Sequence, residues 1–199
     1  LDLGSFTQSY GRSVTVSNNR ISAPGGNSSQ PAIIGSTYGT GTRVLNNTLS
    51  GRWGSNRGSN IQVGAQSGID IGDESDVVIG GNTLTDIFTC GVELSGNISS
   101  LLARDNRIEN AGQCGMIGSI SLSLSSSRFV GNTINRSAVA SHFFRTGGLR
   151  PAGFDQPDRT LPADTAVVFR DVTIERNTLS NAIASDGGTT PPTVVSAQT

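Results

Sequence analysis

The sequence predicts an all-β solenoid, a stack of short-strand coils around one narrow core, and three observations predict it. The first is a phrase written six times: VTVSNNRI, TRVLNNTL, VVIGGNTL, LLARDNRI, SRFVGNTI and VTIERNTL. Its shared asparagines are Asn19, Asn47, Asn82, Asn106, Asn132 and Asn177, spaced by 28, 35, 24, 26 and 45 residues. A unit near two dozen residues, lengthened at intervals by insertions, is the signature of stacked repeats. The second observation is composition. Apolar residues make up 34% and 26 residues are glycine, a supply too thin for a layered core but suited to an elongated fold with many turns. The third is the near absence of helix-favouring runs, with Gly, Asn and Ser filling the turns.

Each position of the repeat has a role. Three residues before the asparagine stand Val16, Val44, Ile79, Ala103, Phe129 and Ile174; two after it stand Ile21, Leu49, Leu84, Ile108, Ile134 and Leu179. Five before it the residue is apolar in four copies: Val14, Val77, Leu101 and Val172. Apolar residues at −5 and −3 with mostly polar ones between have the period of a strand with one face inward. The asparagine marks a corner, and +2 returns the chain to the core. One coil cannot bury its own apolar face, so the coils must stack. Stacking sets the corner asparagines over one another at roughly 4.8 Å, the spacing at which side-chain amides form a ladder.

This pattern resembles the right-handed parallel β-helix repeat of pectate lyases, polygalacturonases, alginate epimerases and phage tailspikes. The resemblance covers about Val14 to Ile183 and implies a single-stranded right-handed parallel β-helix of about six coils. The expected organisation is an N-terminal extension or first strand over 1–13 and the β-helix over 14–184. Insertions fall at 51–60 and 145–165, and a Thr/Pro-rich tail or linker occupies 185–199. No N-terminal amphipathic helix caps the stack, so other coils, another chain or a second copy are expected to cover one end.

Charge narrows the partners. The net charge is −1, with acids and bases intermixed, which points away from nucleic acid and from a membrane surface. All fourteen basic residues are Arg, which removes lysine chemistry, and His142 is the one histidine.

The register brings two pairs together. Cys90 and Cys114 each follow a corner asparagine by eight residues, as a disulfide between coils or as two stacked thiols. Setting GIDIG on GVELS places Asp70 on Glu93, with Ile69, Ile71, Val92 and Leu94 inward and the carboxylates outward, about 5 Å apart at Cα. Asp73, Glu74 and Asp76 follow in the corner, and Asp86 holds the corner of the next coil.

Three readings fit these acids: a carboxylate pair for glycosidic chemistry, a calcium site of Asp70, Asp73, Glu74 and Glu93, or solvated acids without chemistry. The resemblance to pectate lyases implies calcium holding a uronate and an arginine base, for which Arg104 and Arg107 in the next coil are candidates. The stretch CGVELSG is similar to a Glu-bearing strand of inulin fructotransferases. The GHG motif of polygalacturonases, the DPHD motif of alginate epimerases and the upstream acid of the fructotransferases are absent.

The insertions supply further candidates. Trp53 between Arg52 and Arg57 suits a sugar ring and its acidic substituent, or a lid over the loop's own apolar surface. The longer insertion carries Arg145, Arg150, Asp155, Asp158 and Arg159, preceded by His142 as a general acid/base or a packed residue. The expected function is an extracellular or cell-surface protein acting on or binding a polysaccharide or oligosaccharide. Asp70, Glu93, Arg104, Arg107 and His142 are the catalytic candidates; Trp53, Arg52, Arg57, Asp86, Arg145 and Arg150 are the binding candidates. The alternative is a non-catalytic structural or adhesive segment of a larger surface protein or phage fibre, assembling with copies of itself or with other parts of its parent.

Overall fold

A computed structural model describes residues 6–22, 32–51, 67–87, 90–111, 114–135 and 167–180. Fifteen strands carry the described chain: β1 (Phe6–Ser9), β2 (Thr15–Ser17), β3 (Arg20–Ser22), β4 (Ala32–Thr37), β5 (Arg43–Leu45), β6 (Thr48–Ser50), β7 (Ser67–Gly72), β8 (Ser75–Gly80) and β9 (Thr83–Thr85), then β10 (Cys90–Arg104), β11 (Arg107–Glu109), β12 (Cys114–Val130), β13 (Thr133–Asn135), β14 (Val167–Glu175) and β15 (Thr178–Ser180). Every pairing is parallel and joins one coil to the next. The coil has three faces. The first runs β1–β4–β7–β10, the second β2–β5–β8–β10, and the third β3–β6–β9–β11–β13–β15. The long strands β10 and β12 run through both of the first two faces, their register shifting between Leu94 and Gly96. Parallel connections of this kind wind right-handed.

The core sits inside this prism. The −3 residues Val44, Ile79, Ala103 and Phe129 and the +2 residues Leu49, Leu84, Ile108 and Ile134 are fully buried. Where the −5 position is polar, the hydroxyl finds a partner. Thr42 lies within hydrogen-bond distance of Ser36 Oγ at 3.3 Å, and Ser127 Oγ donates to Ser125 O at 2.7 Å while accepting from the Leu101 N–H. In the last coil, Phe169 and Ile174 are exposed.

The corner asparagines form the expected ladder. Each Nδ2 donates to the Oδ1 of the next coil's asparagine at 2.9–3.0 Å, from Asn19 through to Asn177. From Asn47 on, the second Nδ2 hydrogen goes to the carbonyl of the −3 residue one coil back: Val16, Val44, Ile79, Ala103 and Phe129. Each Oδ1 also accepts the backbone N–H of the preceding rung's asparagine. A buried amide with every group paired avoids the desolvation cost that would otherwise exclude it from a core. The residue before each asparagine is left-handed: Asn18, Asn46, Gly81, Asp105, Gly131 and Arg176 all have positive φ.

Candidate functional site

The first face carries the site. Where the third face turns back into it, Gly68 and Gly91 point inward. A Cβ on Gly91 would stand 2.6 Å from Ile108 Cγ2 and 2.8 Å from the carbonyl of Gly115, so only glycine lets the coil close here. Beyond that bend the strands alternate. Ile69, Ile71, Val92 and Leu94 belong to the core, and Asp70 and Glu93 take the opposite side as register partners. Gly35, with no side chain, stands beneath Asp70.

These two carboxylates are not the solvated acids of an ordinary surface. Both are half-buried, and the fully buried Ser67 donates its hydroxyl to Glu93 Oε2. Burial, and then the Glu93 charge one rung away, push the Asp70 carboxyl from 3.8 up to about 7. A proton donor and a second carboxylate therefore share one patch of the prism. A carboxyl that holds its proton beside a second acid is one arrangement that acid-assisted bond cleavage uses.

The structure does not gather the other acidic candidates around this pair. Glu74 is buried at the corner between β7 and β8, where Ser36 Oγ donates to Oε1 and Gly39 leaves it room. Its Oε2 is buried with no hydrogen-bond partner among the described residues. Asp73 stays at the corner and accepts the Asn97 N–H at 2.9 Å. Among the described residues no three His, Cys, Asp or Glu side chains converge as a metal site. The expected calcium set of Asp70, Asp73, Glu74 and Glu93 is thus corrected to one pair and two separate residues. Asp86 is likewise a left-handed corner residue whose Oδ1 accepts from Asn110 Nδ2. Asp76 is held by the Arg43 guanidinium at 2.8 Å.

The arginines are a second correction. Arg104 closes the second face and pairs with Asp105 at 3.4 Å, while Arg107 opens the third and pairs with Glu109 at 3.2 Å. Proximity along the chain misleads here, because each corner turns the outward direction away from Asp70 and Glu93. Trp53, Arg52, Arg57, His142, Arg145 and Arg150 lie outside the described residues, as do Asp155, Asp158 and Arg159. Cys90 is disulfide-bonded, and Cys114, the chain's one other cysteine, is its register partner on β12.

Sequence reasoning missed an aromatic pair. Tyr10 and Tyr38 stack at the corner between the first and second faces, ring centroids 5.3 Å apart and planes inclined by 19°. Both backbones are left-handed, with φ of 59° and 56°. Such a conformation costs a bulky residue on the order of 1–3 kcal/mol, whereas the stack contributes about 0.5–1.5 kcal/mol. Two strained residues thus cost more than their contact returns. The signal was present: each tyrosine precedes its corner asparagine by nine residues, as Asp73 does.

The whole described chain is strand, corner and turn, wound three faces to a coil. No curated protein matches it. The family model for the right-handed β-helix region matches residues 5–151. With that match over most of its length, and with its strands paired in parallel from coil to coil, the chain belongs to the right-handed β-helix family.

Proposed function

We propose that this protein acts on a polysaccharide outside the cell or at its surface, hydrolysing a glycosidic bond with Asp70 and Glu93. The observation that carries this reading is the register pair: two half-buried carboxylates on neighbouring rungs, one raised to about 7 by burial and by its partner. Asp70 retains a proton near neutral pH and gives it to the glycosidic oxygen as the bond to the anomeric carbon breaks. A Glu93 oxygen, on the carboxylate steadied by Ser67, bonds to that carbon. Water then displaces Glu93 and returns a proton to Asp70. Strand spacing sets the two Cα atoms about 4.8 Å apart. Side chains on adjacent rungs of one face suit the closer carboxyl spacing of retaining hydrolases, ~5–5.5 Å, over the ~6.5–9.5 Å of inverting ones, which leaves room for a water between them. The separation of the remaining carboxylates favours this over a calcium-held uronate lyase. The Cys90 disulfide supports an oxidising compartment.

The test is turnover of the full chain on neutral and uronate polysaccharides, followed by Asp70→Asn and Glu93→Gln. The expected result is loss of at least a hundredfold in either variant, products that keep their anomeric configuration by NMR, and no sensitivity to chelator. Equal turnover in wild type and variants would sink the proposal. A second reading, a structural segment that stacks on further coils, is favoured by the exposed Phe169 and Ile174 of the last coil. An inert protein that associates through that end in sedimentation experiments would support it instead.

A further inference from the structure

We propose that Tyr38, backed by Tyr10 and topped by Asp73, is a binding subsite for a neutral hexose unit of the same sugar chain; the proposal rests on the hydrolase reading above. The three residues form one column. The backbone N–H groups of Tyr10, Tyr38 and Asp73 donate to Thr37, Gly72 and Ser95 carbonyls at 2.9, 2.9 and 3.0 Å, the same rung in successive coils. Tyr10 covers one face of the Tyr38 ring, yet Tyr38 remains 56% exposed. Its open face is therefore turned toward the coil of Asp73, where no further aromatic among the described residues continues the stack.

An aromatic face takes up the C–H face of a pyranose, and a nearby acceptor fixes a hydroxyl. Asp73 provides that acceptor. Its Oδ1 is engaged by Asn97, while Oδ2 accepts no hydrogen bond from the described residues. Asp73 lies three residues beyond Asp70 on the same coil, roughly 10 Å of extended chain. A short oligosaccharide bridges that distance from the ledge to the carboxylates. The Asp73 and Glu93 carboxylates together disfavour an acidic sugar, which selects a neutral one. The left-handed backbone at both tyrosines, unfavourable for a large residue, fits rings retained for a ligand rather than for the turn.

The probes are cellohexaose, maltohexaose, xylohexaose and hexagalacturonate, titrated against the full chain. The variants are Tyr38→Gly, which removes the ring and relieves the backbone, Tyr38→Phe and Glu93→Gln. A neutral hexasaccharide should bind, hexagalacturonate should not, and Tyr38→Gly should weaken binding at least tenfold while melting no lower than wild type. Tyr38→Phe should stay within about threefold, and Glu93→Gln provides the non-hydrolysing background in which the Tyr38→Gly loss should recur. Binding lost in Tyr38→Gly without hydrolysis by wild type keeps the subsite and discards the hydrolase. Hydrolysis whose KM is unmoved by Tyr38→Gly discards the subsite and keeps the hydrolase. No binding by any neutral probe, or binding by hexagalacturonate alone, overturns the subsite.

Discussion

The asparagine corner and the first face are built from the same coils by opposite rules. At the corner one residue type recurs six times, and the interior amides place both hydrogens and both acceptor positions on partners. On the first face the outward column reads Gly35, Asp70, Glu93, so neighbouring rungs set two carboxylates against each other. The corner lowers the energy of the stack, and the face raises it. The left-handed tyrosines also lie at the exit corner of that face. Charge and strain gather where the repeat leaves the residue type open, which is where a site can be built without unstacking the coils.

Breaking each region should therefore move a different observable. Asp70→Asn or Glu93→Gln should remove turnover by at least a hundredfold and leave the fold intact. Asn106→Ala should do the reverse. Its Oδ1 accepts from the backbone and side chain of Asn82 and its Nδ2 donates to Ile79 O and Asn132 Oδ1, all within 3.0 Å. Removing that amide strands buried donors and acceptors, a loss of about 3 kcal/mol in urea denaturation. Asn19→Ala, at the half-exposed first rung, should cost about 1 kcal/mol. Equal costs at the two rungs would show that burial does not set the ladder's strength.

The pH dependence sharpens the same contrast. Asp70 binds its proton more tightly folded than unfolded, since its carboxyl rises from 3.8 to about 7. Its contribution to stability is then fully present below about pH 4 and is lost as pH rises through about 7. The melting temperature of the wild type should fall between pH 4 and pH 8 relative to Asp70→Asn, which carries no such proton. Turnover should fail over the same rise, because ionised Asp70 has no proton to give. Parallel melting curves for the two proteins across that range would remove the acid from the mechanism.

The corner was legible because stacking imposes the same demand on every coil, so one residue type recurs and its spacing declares the register. That register also gave Asp70 over Glu93, since GIDIG and GVELS align without a gap. Glu74 was not legible. Its burial depends on Ser36 and Gly39 from the coil before, contacts that no local pattern announces. Arg104 and Arg107 misled for a related reason: a few residues along a β-helix can cross a corner and change face. The tyrosines were legible in principle, nine residues before Asn19 and Asn47, but their left-handed backbone breaks the preference that makes Asp or Gly the expected occupant there.

The smallest effect tests whether the corner itself carries residual strain. Before the six asparagines stand Asn18, Asn46, Gly81, Asp105, Gly131 and Arg176, with φ between 53° and 66°. Glycine adopts this conformation freely, and Asn and Asp reach it with local hydrogen bonds. Arg176 does neither. A left-handed backbone costs a side-chain-bearing residue about 1–2 kcal/mol, against roughly 0.5–1 kcal/mol of extra chain entropy for glycine. The Arg176–Glu175 ion pair, at 3.8 Å and well exposed, contributes almost nothing. Arg176→Gly should therefore stabilise the protein by about 0.5 kcal/mol. Gly131→Ala should have the opposite sign, because a Cβ there would stand 2.8 Å from Asp105 Oδ1 and inherit the left-handed penalty. Denaturation midpoints for the two substitutions decide it. If both move the same way, the strain lies in neighbouring side chains and not in the backbone of the corner.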